Sequence, residues 1–158
     1  MRSNDTCRNG GREERVGNPD SGERVVIRRL IDAPRAEVFA AWTDAAGMRD
    51  WMCPGTVARA EAELDVRPGG RFRIVMVTPN ERIEHTGVYR VVEAPAKLVF
   101  TWTAKGSPDT LVTIEFFERG DQCELMLTHE FFPDAGIAER YKNGWGTIAE
   151  KLSTWLAT

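Results

Sequence analysis

The sequence predicts an α+β domain in which an antiparallel sheet is covered by one long C-terminal helix. Two patterns predict it. Apolar and polar residues alternate with a period of two through six segments between Thr56 and Phe132. Apolar residues then recur at steps of three or four from about Asp134 to Leu156. Runs of strands with helices at the ends of the chain suit an α+β layer rather than a doubly wound sheet.

Each element follows from its residues. "ERVVIRRLI" (23–31) is a β-branched strand. "DAPRAEVFAAW" follows as a short helix, with Pro34 in the first turn and Asp32 or Ala33 in the cap region. Val38, Phe39 and Trp42 share its apolar face. "DAAGMRDWMCPG" gives a second short helix that ends before Pro54. "TVARAEAELDV", "GGRFRIVMV", "RIEHTGVYRVVE", "KLVFTWTA", "TLVTIEFFE" and "CELMLTHEF" are then strands, separated by the turn signals PGG, PNE, APA, KGSPD and RGD. Their spacing suits a meander. On the last helix Ile137, Tyr141, Trp145, Ile148, Leu152 and Trp155 share one face.

Composition bounds the function. The 158 residues suffice for one domain with a real core. A net charge of −3 gives no nucleic-acid footprint. No apolar run approaches the roughly 20 residues of a membrane span. The N-terminal stretch lacks the apolar region of a secretory signal, so a cytoplasmic location is expected. Residues 1–22 are polar and rich in Gly, Asn, Asp and Arg, and are expected to be a disordered tail before a domain over 23–158. Cys7, Cys53 and Cys123 are odd in number and far apart, which suits isolated thiols.

Alternation assigns an inward face. Phe72, Ile74 and Met76 share it, as do His85, Gly87, Tyr89 and Val91. Leu98, Phe100 and Trp102 follow, then Val112, Ile114 and Phe116, then Cys123, Leu125, Leu127 and His129. Arg71, Arg73, Glu84, Arg90 and Glu115 point to the other, wet face. A slip of one residue would reverse any strand. The chain's two histidines, His85 and His129, therefore both continue apolar rows. His129 is either a polar anchor for a ligand, a core histidine bonded to a neighbouring backbone group or carboxylate, or a residue at the sheet edge where the strand ends. His85 lies near the Pro79-Asn80 turn. Gly144 and Gly146 flank Trp145 inside a helix, where each costs about 1 kcal/mol relative to Ala. They serve either close packing on the sheet or room for a cavity beneath the helix.

The segments "RLIDAPRAEVFAAWTDAAGMRDWMCPG", "DVRPGGRFRIVM", "HTGVYRVVEAPAKLVFTW", "ELMLTHEFFPD" and "NGWGTIAEKLSTWL" resemble the helix-grip fold of the START/Bet-v-like (SRPBCC) superfamily. Within it they resemble the homologues of the heat-shock-protein-90 ATPase activator's C-terminal domain. The likeness spans about 24–157. It rests jointly on Arg29 with Ala33-Pro34, Trp51, Gly69-Gly70, the Gly87, Pro95 and Trp102 block, His129 and Gly144-Trp145. It implies a curved sheet gripping the last helix with a cavity between them. It does not imply one activity: relatives include lipid and hormone carriers, polyketide cyclases and chaperone activators. The chain is expected to hold one such domain, without the additional N-terminal domain by which the eukaryotic activator engages its chaperone.

The leading expectation is binding of a small hydrophobic or aromatic molecule in that cavity. His129, His85 and Tyr89 would orient it. Trp51, Trp102, Tyr141 and Trp145 would supply contact area, with Trp51 at the mouth. Phe72, Ile74, Phe100, Ile114 and Leu127 would form the wall. Large aromatics at such spacing equally suit plain core. The second expectation is an enzyme on the same scaffold, a cyclase, dehydratase or hydrolase of polyketide-like substrates. It requires a carboxylate or tyrosine within hydrogen-bond reach of a histidine. The third is a chaperone or stress-response modulator with a filled cavity and an exposed apolar patch. A homodimer fits any of these. No catalytic residue, cofactor or metal site is assigned. His85 and His129 lack ligand-type spacing with a carboxylate, and no helix follows Gly69-Gly70 to make a phosphate loop.

Overall fold

Strand β1 (Val25–Ile31) opens the part of the chain described by the computed structural model, residues 24–157. The expected 1–22 tail lies outside the described residues. Helices α1 (Arg35–Trp42) and α2 (Ala45–Trp51) follow. Six strands come next: β2 (Arg59–Leu64), β3 (Arg71–Val77), β4 (Arg82–Glu93), β5 (Lys97–Ala104), β6 (Thr110–Arg119) and β7 (Gln122–Glu130). Helix α3 (Ala135–Leu156) ends the fold. The strands form one curved antiparallel sheet in the order β1-β7-β6-β5-β4-β3-β2. This is the α+β helix-grip arrangement that the alternation and the resemblance predicted. The meander from β2 to β7 needs only short turns, and β1 closes on β7 through the register Val25↔His129 to Ile31↔Cys123.

Local chemistry explains the helix starts, with one correction. Asp44 caps α2 by accepting from the Gly47 amide at 3.1 Å, and Asp134 caps α3 by accepting from the Ile137 amide at 2.9 Å. Helix α1 has no side-chain cap. Pro34 is itself the extended N-cap residue, at φ −62° and ψ 148°, so neither Asp32 nor Ala33 occupies that position. Proline already holds φ near the required value and has no N–H to leave unsatisfied.

The inward assignments hold on every strand up to one irregularity. Phe72, Ile74, Leu98, Phe100, Val112, Ile114, Phe116, Leu125 and Leu127 are buried in a single core with Val38, Phe39 and Trp42 of α1. From α3, Trp145, Ile148 and Leu152 are buried in that core, and Ile137, Tyr141 and Trp155 pack partly against it. Val91 departs from the expected face. The β4–β5 register shifts between Tyr89 and Val91, so Val92, opposite Leu98, packs against the core instead. An extra residue in one strand of a pair reverses the alternation beyond it.

Gly87 lies on β4 between Phe72 of β3 and Thr101 of β5. A Cβ there would collide with the Thr101 carbonyl oxygen and with the Phe72 ring. Only glycine lets β4 approach that closely. The Phe72 ring thus sits against Gly87, in ring contact with Tyr89 and Phe100 at 5.5 and 5.4 Å.

Candidate functional site

Between the sheet and the first half of α3 lies a cleft of about 680 Å³. Its main walls come from three parts of the chain, with the β3–β4 and β5–β6 turns and Pro133 at its edges. The Pro54–Val57 segment after α2 forms one side. Met76, Ile83, His85, Trp102 and Thr110 come from the concave sheet. Ile137, Arg140, Tyr141, Gly144, Trp145 and Ile148 come from α3, one or two turns apart as a single helical face requires.

Trp102 organises the polar part of this surface. Its indole Nε1 donates to the Tyr141 hydroxyl at 3.2 Å. His85 stacks on its ring at 4.8 Å with an interplanar angle of 27°. His85 is 7% exposed, and its Nδ1 is buried with no hydrogen-bond partner among the described residues. Burial lowers its pKa to about 4, so the imidazole is neutral near pH 7. Burial likewise raises the Tyr141 pKa, so the phenol keeps its proton. Arg140 and Glu81 add one charge of each sign among the cleft-lining residues, and both are exposed.

His129 lies behind this surface, fully buried and outside the cleft lining. Its Nδ1 accepts from the Trp145 indole Nε1 at 2.9 Å. The other nitrogen, Nε2, lies 2.6 Å from Thr110 Oγ1. Because Nδ1 accepts, the neutral ring carries its proton on Nε2 and donates to Thr110. Thr110 in turn donates to the Trp102 carbonyl at 2.6 Å. Every polar atom in this chain of bonds has a partner, and neither ring nitrogen is left for a ligand. Burial, and secondarily the nearby His85, lower the His129 pKa to about 3. The ring is a neutral link between α3 and the sheet.

Of the residues that sequence reasoning assigned to a cavity, His85, Trp102, Tyr141 and Trp145 meet at the cleft. The other eight lie elsewhere. Phe72, Ile74, Tyr89 and Phe100 pack in the core on the β3–β5 side. Ile114 and Leu127 are likewise core residues, on β6 and β7, and His129 lies behind the wall. Trp51, expected at the mouth, is fully buried and packs edge-on against Trp42 at 4.9 Å. Pro54, three residues later, occupies the cleft wall instead. The reason is depth: all these residues face inward, but a thick core absorbs most of an inward face before any of it reaches open space.

Several lining residues were not singled out from sequence. Met76 and Ile83 were readable as inward positions of their strands, and Ile137 and Ile148 as positions on the α3 stripe. Arg140 had no signal, since it flanks that stripe. The two glycines flanking Trp145 differ: Gly144 lines the cleft and Gly146 lies outside its lining. A Cβ at Gly146 would meet nothing within 4 Å, and one at Gly144 would reach only Pro54, at an ordinary 3.6 Å. Neither position is held to glycine by close packing.

Neither histidine hydrogen-bonds a carboxylate or a tyrosine among the described residues. His129 and Tyr141 meet only as edge-to-face rings, 4.7 Å apart. Among the described residues no group of three or more His, Cys, Asp and Glu side chains is placed to hold a metal ion. No described helix is long and apolar enough to cross a membrane.

The fold is shared with many solved structures. CalU16 from Micromonospora echinospora is 26% identical, with a TM-score of 0.67 over 85% of this chain and 76% of that one. A protein from Rhodobacter sphaeroides is 20% identical and superposes with a TM-score of 0.75 over 85% and 92% of the two chains. One from Arthrobacter aurescens is 19% identical, with a TM-score of 0.73 over 85% and 86%. The last two likenesses speak to fold alone. No curated protein matches the chain. The model of the family described as activator of Hsp90 ATPase homolog 1-like protein matches residues 32–157, which include both short helices, strands β2–β7, helix α3 and every wall of the cleft. The chain belongs to the activator of Hsp90 ATPase homolog 1-like family.

Proposed function

We propose that the chain binds a small hydrophobic or aromatic molecule in the cleft between the sheet and α3. The observation that carries this reading is the cleft itself. Its volume of about 680 Å³ falls within the roughly 300–1,000 Å³ typical of small-molecule sites. Apolar side chains dominate its sheet and helix walls, with Met76, Ile83 and Trp102 facing Ile137, Trp145 and Ile148. A few polar tips, His85 and the Tyr141 hydroxyl among them, are available to orient a guest. A helix glycine at the cleft, Gly144, which costs about 1 kcal/mol of helix stability, suits a surface kept open.

Native mass spectrometry of the purified protein, with organic extraction of bound material, tests this. A discrete co-purifying mass is expected, or failing that, saturable quenching of tryptophan fluorescence by the neutral probe 1-anilinonaphthalene. A protein that carries nothing and shows no saturable quenching does not use the cleft this way.

A protein partner is the second reading, favoured by one observation. Val26 and Leu30 are 45% and 55% exposed on the edge strand β1, where an apolar contact has room to form. A second copy of this chain or a chaperone would fit that reading. A size-exclusion profile unchanged by Leu30→Lys would count against the second copy.

A further inference from the structure

We propose that the cleft selects a neutral hydroxylated aromatic ligand, its hydroxyl seated between Tyr141 and His85. This rests on the cleft-binding reading above and adds what the guest must carry.

The case begins with hydrogen bonds left unmade. His85 is 93% buried by its 7% exposure, yet its Nδ1 has no partner among the described residues. Buried polar atoms without partners are rare in folded proteins, because each costs about 1–3 kcal/mol. Tyr141 offers the complementary half. Its oxygen already accepts from Trp102 Nε1 at 3.2 Å, and its own proton has no acceptor among the described residues. Both groups flank the same Trp102 indole, His85 on its face at 4.8 Å and Tyr141 at its nitrogen edge. A group arriving beside that indole meets one donor and one imidazole.

The ionic state of the site narrows the class. Neither His85, which is buried, nor Tyr141, which is partly buried, carries a charge near pH 7. The His85 imidazole is neutral because burial lowers its pKa to about 4, and the Tyr141 phenol stays protonated. A carboxylate brought there would lose its hydration and find only neutral donors. Arg140 is exposed, and Glu81 brings the opposite charge to the same lining, so the cleft has no net charge to attract an acid. A hydroxyl fits instead. It accepts from Tyr141 while its own proton satisfies an imidazole nitrogen, and its ring body lies on apolar wall. The aromatic body follows from Trp102 and Trp145, whose rings meet edge-on at 5.2 Å within the lining.

Isothermal titration calorimetry at pH 7.5 with 2-naphthol, 2-methylnaphthalene and 2-naphthoate tests this. The three share a ring system and differ in the group presented. We expect 2-naphthol to bind at least tenfold more tightly than either of the others. His85→Phe and Tyr141→Phe should each reduce that preference to threefold or less while 2-methylnaphthalene still binds. Tyr141→Phe also leaves Trp102 Nε1 without its acceptor. His85→Phe, which keeps a ring stacked on Trp102, therefore carries the test if Tyr141→Phe melts early. Equal binding of 2-naphthol and 2-methylnaphthalene overturns hydroxyl selection and leaves the cleft-binding reading standing. Tightest binding by 2-naphthoate overturns it in favour of an acid held by Arg140. Binding by none of the three overturns both.

Discussion

Trp145 donates its indole proton to His129 Nδ1 at 2.9 Å, and that bond fastens α3 to the far strand of the grip. It joins residues 16 apart in sequence, one on a strand and one on the helix that the strand must hold. The bond continues through Thr110 to the Trp102 carbonyl, so three strands and one helix share one fully satisfied polar path. Such a path specifies a single seating of the helix, because any sliding would leave buried donors unpaired.

Replacing His129 should therefore cost stability before anything else. His129→Leu removes the acceptor for Trp145 and the donor to Thr110 while keeping apolar volume. The buried Trp145 indole N–H is then unsatisfied, at about 1–3 kcal/mol, and Thr110 loses one bond, worth about 0.5–1.5 kcal/mol, while keeping its bond to the Trp102 carbonyl. A loss of about 1.5–4.5 kcal/mol in urea unfolding is expected. A variant within 0.5 kcal/mol of the parent, on the order of a neutral surface change, would show that the path contributes nothing.

The same burial makes stability depend on pH. His129 and His85 have folded pKa values lowered to about 3 and about 4, against 6.5 for an exposed histidine. Below pH 6.5 the unfolded chain takes up protons that the folded chain refuses, so acid favours unfolding. The stabilisation is whole above pH 6.5 and is lost progressively as pH falls toward the folded values. Each histidine contributes up to about 1.4 kcal/mol per pH unit once below that point. The urea midpoint should fall steadily between pH 7 and pH 5, above the ordinary carboxylate range. A flat profile over that window contradicts the buried neutral pair.

Helix α3 offers a contrast between Gly144 and Gly146. Gly146→Ala places a methyl in open space and should stabilise the protein by about 1 kcal/mol, with ligand binding unchanged. Gly144→Leu adds a branched side chain at the cleft wall opposite Pro54 and should weaken binding of an aromatic probe at least tenfold. Thermal melts and a fluorescence titration separate the two effects. Undiminished binding by the Gly144→Leu protein would place the guest elsewhere.

Gly87 has no such freedom. Gly87→Ala forces a methyl into the Thr101 carbonyl and the Phe72 ring, and neither backbone nor packed aromatic can yield cheaply. A loss of about 3 kcal/mol is expected, at the upper end of ordinary overpacking. Chemical denaturation checks it, and a loss under 1 kcal/mol would mean that the sheet relaxes its curvature there.

The sequence by itself determined the element order and the buried face of nearly every strand and helix. Residues such as Phe72, Leu98, Ile114, Leu125 and Leu152 declared themselves because burial imposes a period, two on strands and near four on helices. Val91 escaped because a bulge changes the count without any local signal in residue type. Tertiary structure alone decided depth. His85 and His129 read alike, each continuing an apolar row. One stacks on Trp102 at the cleft with a nitrogen unpartnered, and the other lies sealed between Thr110 and Trp145. Periodicity says which way a side chain points. What it meets there is set by residues distant in the chain, which only the folded packing brings together.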